Sequence, residues 1–236
     1  MQDSSDRQAR DKVHSEAGDA LRAQQRNDLR DDTRRDALST AERWALLLAL
    51  IAVLLQGLGA AEALEYRRTL LASEPWRLLS GHFVHLNWPH LAVNAVALVI
   101  VARLFAPDLP ARRQLAVLAA ATLAIGAGLA FAYPGIVWYR GLSGVIHALF
   151  FAGAVTWLLA ARPRTLRVLW LPAALVVGGW IKVMTEQPHG EALPYADWLS
   201  AAVVPQAHLL GAACGSLAGL AFALADGLSA ASRRQQ

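Results

Sequence analysis

Long stretches without charge constrain the fold of this chain more than any other feature. Six apolar segments recur along it: Trp44 to Glu62, Trp88 to Leu104, Leu115 to Tyr133, Leu142 to Ala161, Val168 to Met184 and Leu199 to Ala225. A helix of about 20 residues crosses a bilayer core of roughly 30 Å. The sequence therefore predicts an all-α, polytopic membrane protein built as a bundle of six transmembrane helices.

The polar N-terminus predicts a separate region. Residues 1–40 hold almost no large apolar side chain and mix Arg with Asp, so they cannot form a core. We predict a disordered cytosolic arm over 1–40, the six-helix membrane domain over 41–230, and a short basic cytosolic tail over 231–236. The net charge of +4 is not gathered in a basic stripe, which argues against a nucleic-acid partner. The first apolar run is too long for the apolar core of a signal peptide.

Basic residues in short loops predict the orientation. They follow the second and fourth spans and end the chain: Arg103, Arg112, Arg113, Arg162, Arg164, Arg167, Arg233 and Arg234. Such residues favour the cytosolic side. We therefore expect a multi-pass protein of the bacterial inner membrane with both termini cytosolic. The second, fourth and sixth spans then begin at the periplasmic side, toward which an active site at those ends would open.

Polar side chains at membrane depth mark functional sites, and this chain carries few. His90 and Asn94 lie four residues apart and so share one face of the second span. Ser143 opens the fourth span, and His208 lies near the start of the last. A serine hydroxyl becomes a nucleophile when a base in hydrogen-bond reach takes its proton. We predict Ser143 as nucleophile and His208 as general base.

Glycines flank both candidates. Gly211 and Gly215 follow the histidine and lie four residues apart. Small residues at that spacing let two membrane helices approach closely. The last span should therefore lie against the fourth. Gly141 and Gly144 keep the loop around the serine open to a substrate backbone.

An oxyanion formed during acyl transfer needs fixed donors. The backbone N–H of Ser143 at a helix N-terminus is one candidate, and the side chains of His90 and Asn94 are two others. Asp197 and Glu186 fall in predicted loops, so the sequence indicates a Ser-His dyad without a carboxylate. The histidines lack the cysteine or carboxylate ligands of a usual zinc site, and we expect neither metal nor cofactor.

Three motifs in this order resemble the rhomboid family of intramembrane serine proteases over about Trp76 to Gly215. They are Trp76-Arg77 followed by His85, His90 and Asn94; Gly141-Leu142-Ser143-Gly144; and Ala207-His208 with Gly211 and Gly215. The resemblance implies the same nucleophile and base. It also implies that His90 and Asn94 help form the oxyanion hole, that His85 braces the outer loop, and that the substrate is a membrane-anchored protein in the bilayer.

One departure resembles the rhombosortase branch. Many rhomboids have an aromatic residue one turn after the serine, where this chain has His147. That branch is associated with exported proteins whose C-terminal membrane anchor contains Gly-Gly. The compact six-helix core and the segment from Lys182 to Glu186-Gln187 after the fifth helix are also similar to that branch. The resemblance makes Lys182, Glu186 and Gln187 candidates for substrate recognition.

Other interpretations of these residues stay open. His147 either stacks on or hydrogen-bonds His208, or serves as the base itself, and Lys182 with Glu186 could be a simple helix-end ion pair. Trp76 could be an interfacial anchor, and Arg77 could only organise its loop.

Three other functions compete with a rhombosortase. They are a general rhomboid cutting single-span proteins, a non-catalytic rhomboid-like protein that binds membrane clients, and a small transporter that relays protons through histidines. A non-catalytic protein should lack the serine or the histidine, and both are present. A transporter should show internal repeats, and none is evident.

Overall fold

The computed structural model describes residues 38–160, 165–187 and 203–233. Its helices are α1 Thr40–Gly57, α2 Ala61–Leu64, α3 Arg77–Ser80, α4 Trp88–Leu104, α5 Ala111–Phe131, α6 Ser143–Ala160, α7 Leu166–Thr185 and α8 Pro205–Arg233. Two 3₁₀ segments cover Arg68–Leu70 and Gly81–Phe83, and two short strands are β1 Tyr66–Arg67 and β2 Trp138–Tyr139. Residues 1–37, most of the predicted arm, lie outside the described residues.

The prediction of an all-α polytopic membrane protein is confirmed. Within the described ranges, α1, α5, α6, α7 and α8 are long and apolar enough to cross a bilayer. The segment Arg77–Phe83 joins α4 at a bend of 90°, and the pair counts as a sixth span if it is continuous. The bend brings the short helix α3 and the start of α4 to one end of the bundle.

Several helix ends differ from the prediction. The first helix ends at Gly57 rather than Glu62, and Gly59 follows it with φ +67° in a turn. The third begins at Ala111 rather than Leu115, with two arginines in its first turn. The last continues to Arg233, and its predicted start at Leu199 lies outside the described residues. Hydropathy overran the first helix because apolar residues continue past the turn at Gly59, whereas the third and last helices extend beyond their apolar cores through turns that carry long cationic side chains.

α6 occupies the centre of the bundle. More than half of its apolar window is buried, 56%, against 11% for α7. The helix packs against α4, α5, α7 and α8, while the exposed apolar side chains of α1 and α7 face outward as expected for contact with lipid. Most residues along α6 are therefore surrounded by protein.

Glycines allow α8 to lie directly on α6. A Cβ added at Gly211 would overlap the carbonyl oxygen of Gly144, and one at Gly215 would overlap that of Ala148. Gly219 continues the series, with its added Cβ 2.7 Å from the carbonyl oxygen of another α6 residue. The close approach predicted from two glycines thus extends over a third.

A two-stranded antiparallel ribbon, absent from the sequence prediction, holds the segment before α6. Tyr66 pairs with Tyr139 and Arg67 with Trp138. The aromatic residues of β2 favour an extended chain. The N–H of Gly141 also donates to the carbonyl of a residue before α4, at 3.0 Å. The ribbon and this bond fix the chain that leads into Ser143.

Polar contacts join the helices at the other end of the bundle. Gln114 donates to the carbonyl oxygens of Ala102 at 2.9 Å and Leu109 at 2.8 Å. Arg103 pairs with the buried Glu42 at 2.6 Å. These bonds tie α1, α4 and α5 together far from the start of α6.

The glycine contact gives a stability prediction. Gly215→Ala should lower the free energy of unfolding by about 1–3 kcal/mol, because the new methyl group displaces a backbone carbonyl in a packed interface. Gly227→Ala on the same helix meets no atom within 4 Å and should be neutral or stabilising by up to ~1 kcal/mol. Thermal unfolding in detergent measures both, and equal midpoints would contradict the close contact.

Candidate active site

Ser143 and His208 meet at the start of two helices. Ser143 is the first residue of α6, and His208 lies in the first turn of α8. The Oγ of Ser143 is 2.9 Å from Nε2 of His208, a hydrogen-bond distance. His208 is only 4% exposed. The structure thus brings together the two side chains that the sequence predicts as nucleophile and base.

A carboxylate also contacts this histidine, which corrects a reason given from the sequence. Glu186 caps the C-terminal end of α7, and its Oε2 is 2.7 Å from Nδ1 of His208. Sequence reasoning placed Glu186 in a loop and dismissed it as a partner. That reasoning is wrong, because the helix end directs the side chain into the protein, where Glu186 is 5% exposed.

Lys182 and His147 complete a polar network with these three residues. The Lys182 ammonium bonds to Oε1 of Glu186 and lies 3.2 Å from Nε2 of His147. The Nδ1 of His147 is 2.8 Å from the carbonyl oxygen of Ser143. The rings of His147 and His208 are stacked, with centroids 4.2 Å apart and planes 18° from parallel.

The bonding partners assign a proton to each ring. An ammonium only donates, so Nε2 of His147 accepts and its Nδ1–H donates to the carbonyl of Ser143. A carboxylate paired with an ammonium only accepts, so Nδ1–H of His208 donates to Glu186. The Nε2 of His208 is then free to accept the hydroxyl proton of Ser143. Because both ring nitrogens of His147 are engaged elsewhere, the geometry favours a stacking role for it.

The start of α4 places two further polar residues beside the serine loop. The side chain of Asn87 accepts from the N–H of His90 at 2.8 Å, which caps the helix and sets its first turn. His90 and Asn94 then face Gly141. The Nδ2 of Asn94 is buried with no hydrogen-bond partner among the described residues. Buried His85 packs edge-on against His90, with ring centroids 5.2 Å apart.

Gly141 holds the loop in a conformation that other residues avoid. Its φ is +124°, and an added Cβ would lie 2.8 Å from Cε1 of His90. The hydroxyl of Tyr139 donates to the carbonyl of Gly141 at 2.5 Å. Burial raises the pKa of Tyr139, so the phenol stays a donor. Sequence reasoning missed Tyr139, although it lies only two residues before the motif.

Three other predicted site residues lie apart from the hydroxyl of Ser143. Arg77 is buried and donates at 2.9 Å to the carbonyl oxygens of Glu62 and Glu65, which organises the loop between α1 and α4. Trp76 is half exposed. Gln187 donates to the carbonyl oxygens of Val183 and Pro205, so it joins the end of α7 to the start of α8. The hydrogen bonds of Arg77 and Gln187 therefore stabilise the backbone around the site.

An apolar cavity of about 210 Å³ adjoins the network between α4, α6 and α7. Its lining is Val101, Ile146, His147, Phe150, Phe151, Gly179 and Lys182. Two members of the network, His147 and Lys182, thus form part of its wall.

One group among the described residues has the composition of a metal site: His147, Glu186 and His208, whose ligand atoms lie within 4.8 Å of one another. The Lys182 ammonium already bonds to two of them. The Lys182 ammonium therefore supplies the positive charge that a metal ion would bring to these three residues.

Comparison with models of protein families matches residues 72–225 to the Rhomboid domain. The matched range covers more than half of the 236 residues and includes every member of the polar network. A search of curated proteins finds no match.

The loop geometry predicts a specific sensitivity of Ser143. Gly141→Ala should reduce its labelling by a fluorophosphonate, because the methyl group collides with His90 and displaces the loop. Gly59→Ala is the matched control: it also has positive φ, at +67°, but its added Cβ meets nothing within 4 Å. It should carry only backbone strain of roughly 1–2 kcal/mol and keep normal labelling. Labelling is read from gel fluorescence in membranes, and equal loss in both variants would contradict the collision.

Proposed function

Because the chain belongs to the rhomboid family, whose domain spans residues 72–225, we propose that it is an intramembrane serine endopeptidase in which Ser143 is the nucleophile and His208 the general base. The observation that carries the proposal is the 2.9 Å contact between Oγ and Nε2. A serine that only capped α6 would need no imidazole at that position.

The reaction follows the serine-hydrolase sequence. Nε2 of His208 takes the hydroxyl proton as Oγ of Ser143 attacks the scissile carbonyl. The imidazolium returns that proton to the leaving amine, and an acyl-enzyme forms. His208 then takes a proton from water, which attacks the ester, and returns the proton to Oγ as the acyl group leaves.

Donors for the oxyanion come from two helices. The backbone N–H of Ser143 lies at the N-terminus of α6, where the helix dipole favours negative charge. The buried, unpartnered Nδ2 of Asn94 supports its role as a second donor, and His90 lies beside it. Each such donor contributes about 2.7–4 kcal/mol to catalysis where measured.

The preferred substrate is an exported protein with a Gly-Gly-containing C-terminal anchor, as the resemblance to the rhombosortase branch implies. Three of the residues that carry the resemblance, His147, Lys182 and Glu186, belong to one hydrogen-bonded network. The apolar cavity beside it would accept part of the anchor. In this proposal the protein lies in the bacterial inner membrane, with both termini cytosolic and the site open to the periplasm.

Cleavage of an anchored substrate in membranes tests the chemistry. Ser143→Ala and His208→Ala should each lower the rate by about 10³-fold or more, since the two act as a unit. His147→Ala should lose roughly 3- to 10-fold, in line with about 0.5–1.5 kcal/mol for an aromatic stack. Ser229→Ala is the control, because its exposed hydroxyl bonds only to its own helix.

Two outcomes of that assay decide between assignments. Full activity of Ser143→Ala would end the protease proposal and favour a protein that binds membrane clients. An inactive His147→Ala beside an active His208→Ala would make His147 the base.

Substrate preference is tested with two anchors that differ only at the residues before the span. An anchor with Gly-Gly should be cleaved about 10-fold or more faster than one with Val-Val, because bulkier side chains are excluded near the half-buried serine. Initial rates are compared in the same membranes. Equal rates would favour a general rhomboid.

A further inference from the structure

The carboxylate of Glu186 contacts both a histidine and a lysine. Its Oε2 is 2.7 Å from Nδ1 of His208, while Oε1 accepts from the Lys182 ammonium. We propose that Glu186 positions His208 as the third member of a catalytic triad, and that Lys182 fixes which atoms of Glu186 face the histidine. The inference rests on the proposed protease function and deepens it.

The carboxylate bonds to Nδ1 of His208, the ring nitrogen that does not face Ser143. By accepting from Nδ1–H, it holds the tautomer in which Nε2 is the acceptor, and it stabilises the imidazolium formed as the serine attacks. No described residue other than Glu186 bonds to that Nδ1. A group on a different helix therefore determines the protonation state of Nε2, the His208 nitrogen that faces Ser143.

The structure holds this carboxylate in place from two sides. Glu186 closes the last turn of α7, with its N–H bonded to the carbonyl of Lys182 at 3.1 Å. The next residue, Gln187, donates to the carbonyl of Pro205 at 3.2 Å. Since Pro205 begins the helix that carries His208, the end of α7 and the start of α8 are joined beside the pair.

A simple ion pair on the end of α7 does not account for this arrangement. An exposed Lys-Glu pair four residues apart stabilises a helix by about 0.3–0.5 kcal/mol and needs no burial. Here the side chain of Glu186 is 3% exposed, whereas that of Lys182 is 52% exposed. The same burial argues against direct substrate recognition by Glu186, because the carboxylate lies behind the histidine.

Because of Lys182, the nearly isosteric substitution Glu186→Gln tests the tautomer of His208. In Glu186→Gln, Lys182 can only donate, so the amide oxygen must face the ammonium. The amide NH₂ then faces Nδ1 of His208 and makes that nitrogen an acceptor. The proton moves to Nε2, which can no longer accept from Ser143. We expect kcat to fall on the order of 10²- to 10⁴-fold with KM little changed.

A second substitution should reverse part of this loss. In Lys182→Met combined with Glu186→Gln, the amide is free to turn its oxygen toward Nδ1–H of His208. We expect kcat at least about 10-fold above that of Glu186→Gln alone, well outside the near-additivity of independent sites. Glu186→Asp keeps an acceptor on a shorter side chain, and its kcat should lie between those of wild type and Glu186→Gln.

The experiment measures kcat and KM of the full-length protein in membranes with an anchored substrate. Glu42→Gln is the matched control, since Glu42 is also a buried glutamate paired with a basic residue, Arg103, but at the far end of the bundle. It should keep wild-type kcat. Thermal unfolding midpoints show which variants are folded.

The outcomes separate the two proposals. Wild-type kcat in Glu186→Gln, beside an inactive Ser143→Ala, overturns the triad and leaves the protease intact. A loss in Glu186→Gln that the Lys182→Met combination does not relieve overturns the assigned role of Lys182 and the tautomer argument with it. If Glu186→Gln does not fold, Glu186→Leu, which removes the acceptor, is measured in its place: a wild-type kcat overturns the triad, and a loss of kcat with KM little changed supports it. Activity in Ser143→Ala would instead reject the protease itself.

Discussion

Carbonyl oxygens of α6 fill the space where side chains of α8 would otherwise lie. This contact, allowed by Gly211 and Gly215, sets how far the first turn of α8 stands from the first residue of α6. The 2.9 Å distance between Ser143 and His208 follows from it. Bulkier residues would separate the helices by more than a hydrogen bond can span, so the chemistry proposed here depends on a backbone contact.

The polar groups around this contact divide into two sets. The members of the polar network satisfy one another: the ammonium of Lys182 offsets the carboxylate of Glu186, and each histidine has a donor on one side and an acceptor on the other. Across the serine, Asn94 has a buried donor without a hydrogen-bond partner among the described residues. In a low-dielectric site an unpaired donor is costly, and negative charge developing on a substrate carbonyl would give it a use. In the proposed mechanism the first set transfers protons and the second stabilises the oxyanion.

The sequence was informative where local spacing determines geometry. Helical periodicity placed His90 with Asn94, and glycine spacing predicted that the last helix would lie on the fourth. The contact of Glu186 with His208 was missed, because a residue before Pro188 reads as the start of a loop and spacing says nothing about which helix its side chain meets. The ribbon of β1 and β2 was missed for a related reason: two-residue strands pair across more than 70 positions, and no local pattern records such a pairing.

The same backbone contact limits how the protein can change over evolution. A clash between two side chains can be relieved by a second mutation that shrinks the partner. The partners of Gly211 and Gly215 are main-chain oxygens, which every amino acid carries. No substitution at Gly144 or Ala148 can therefore act as a suppressor by making room, and lineages that keep this pair of helices together must keep glycine at both positions.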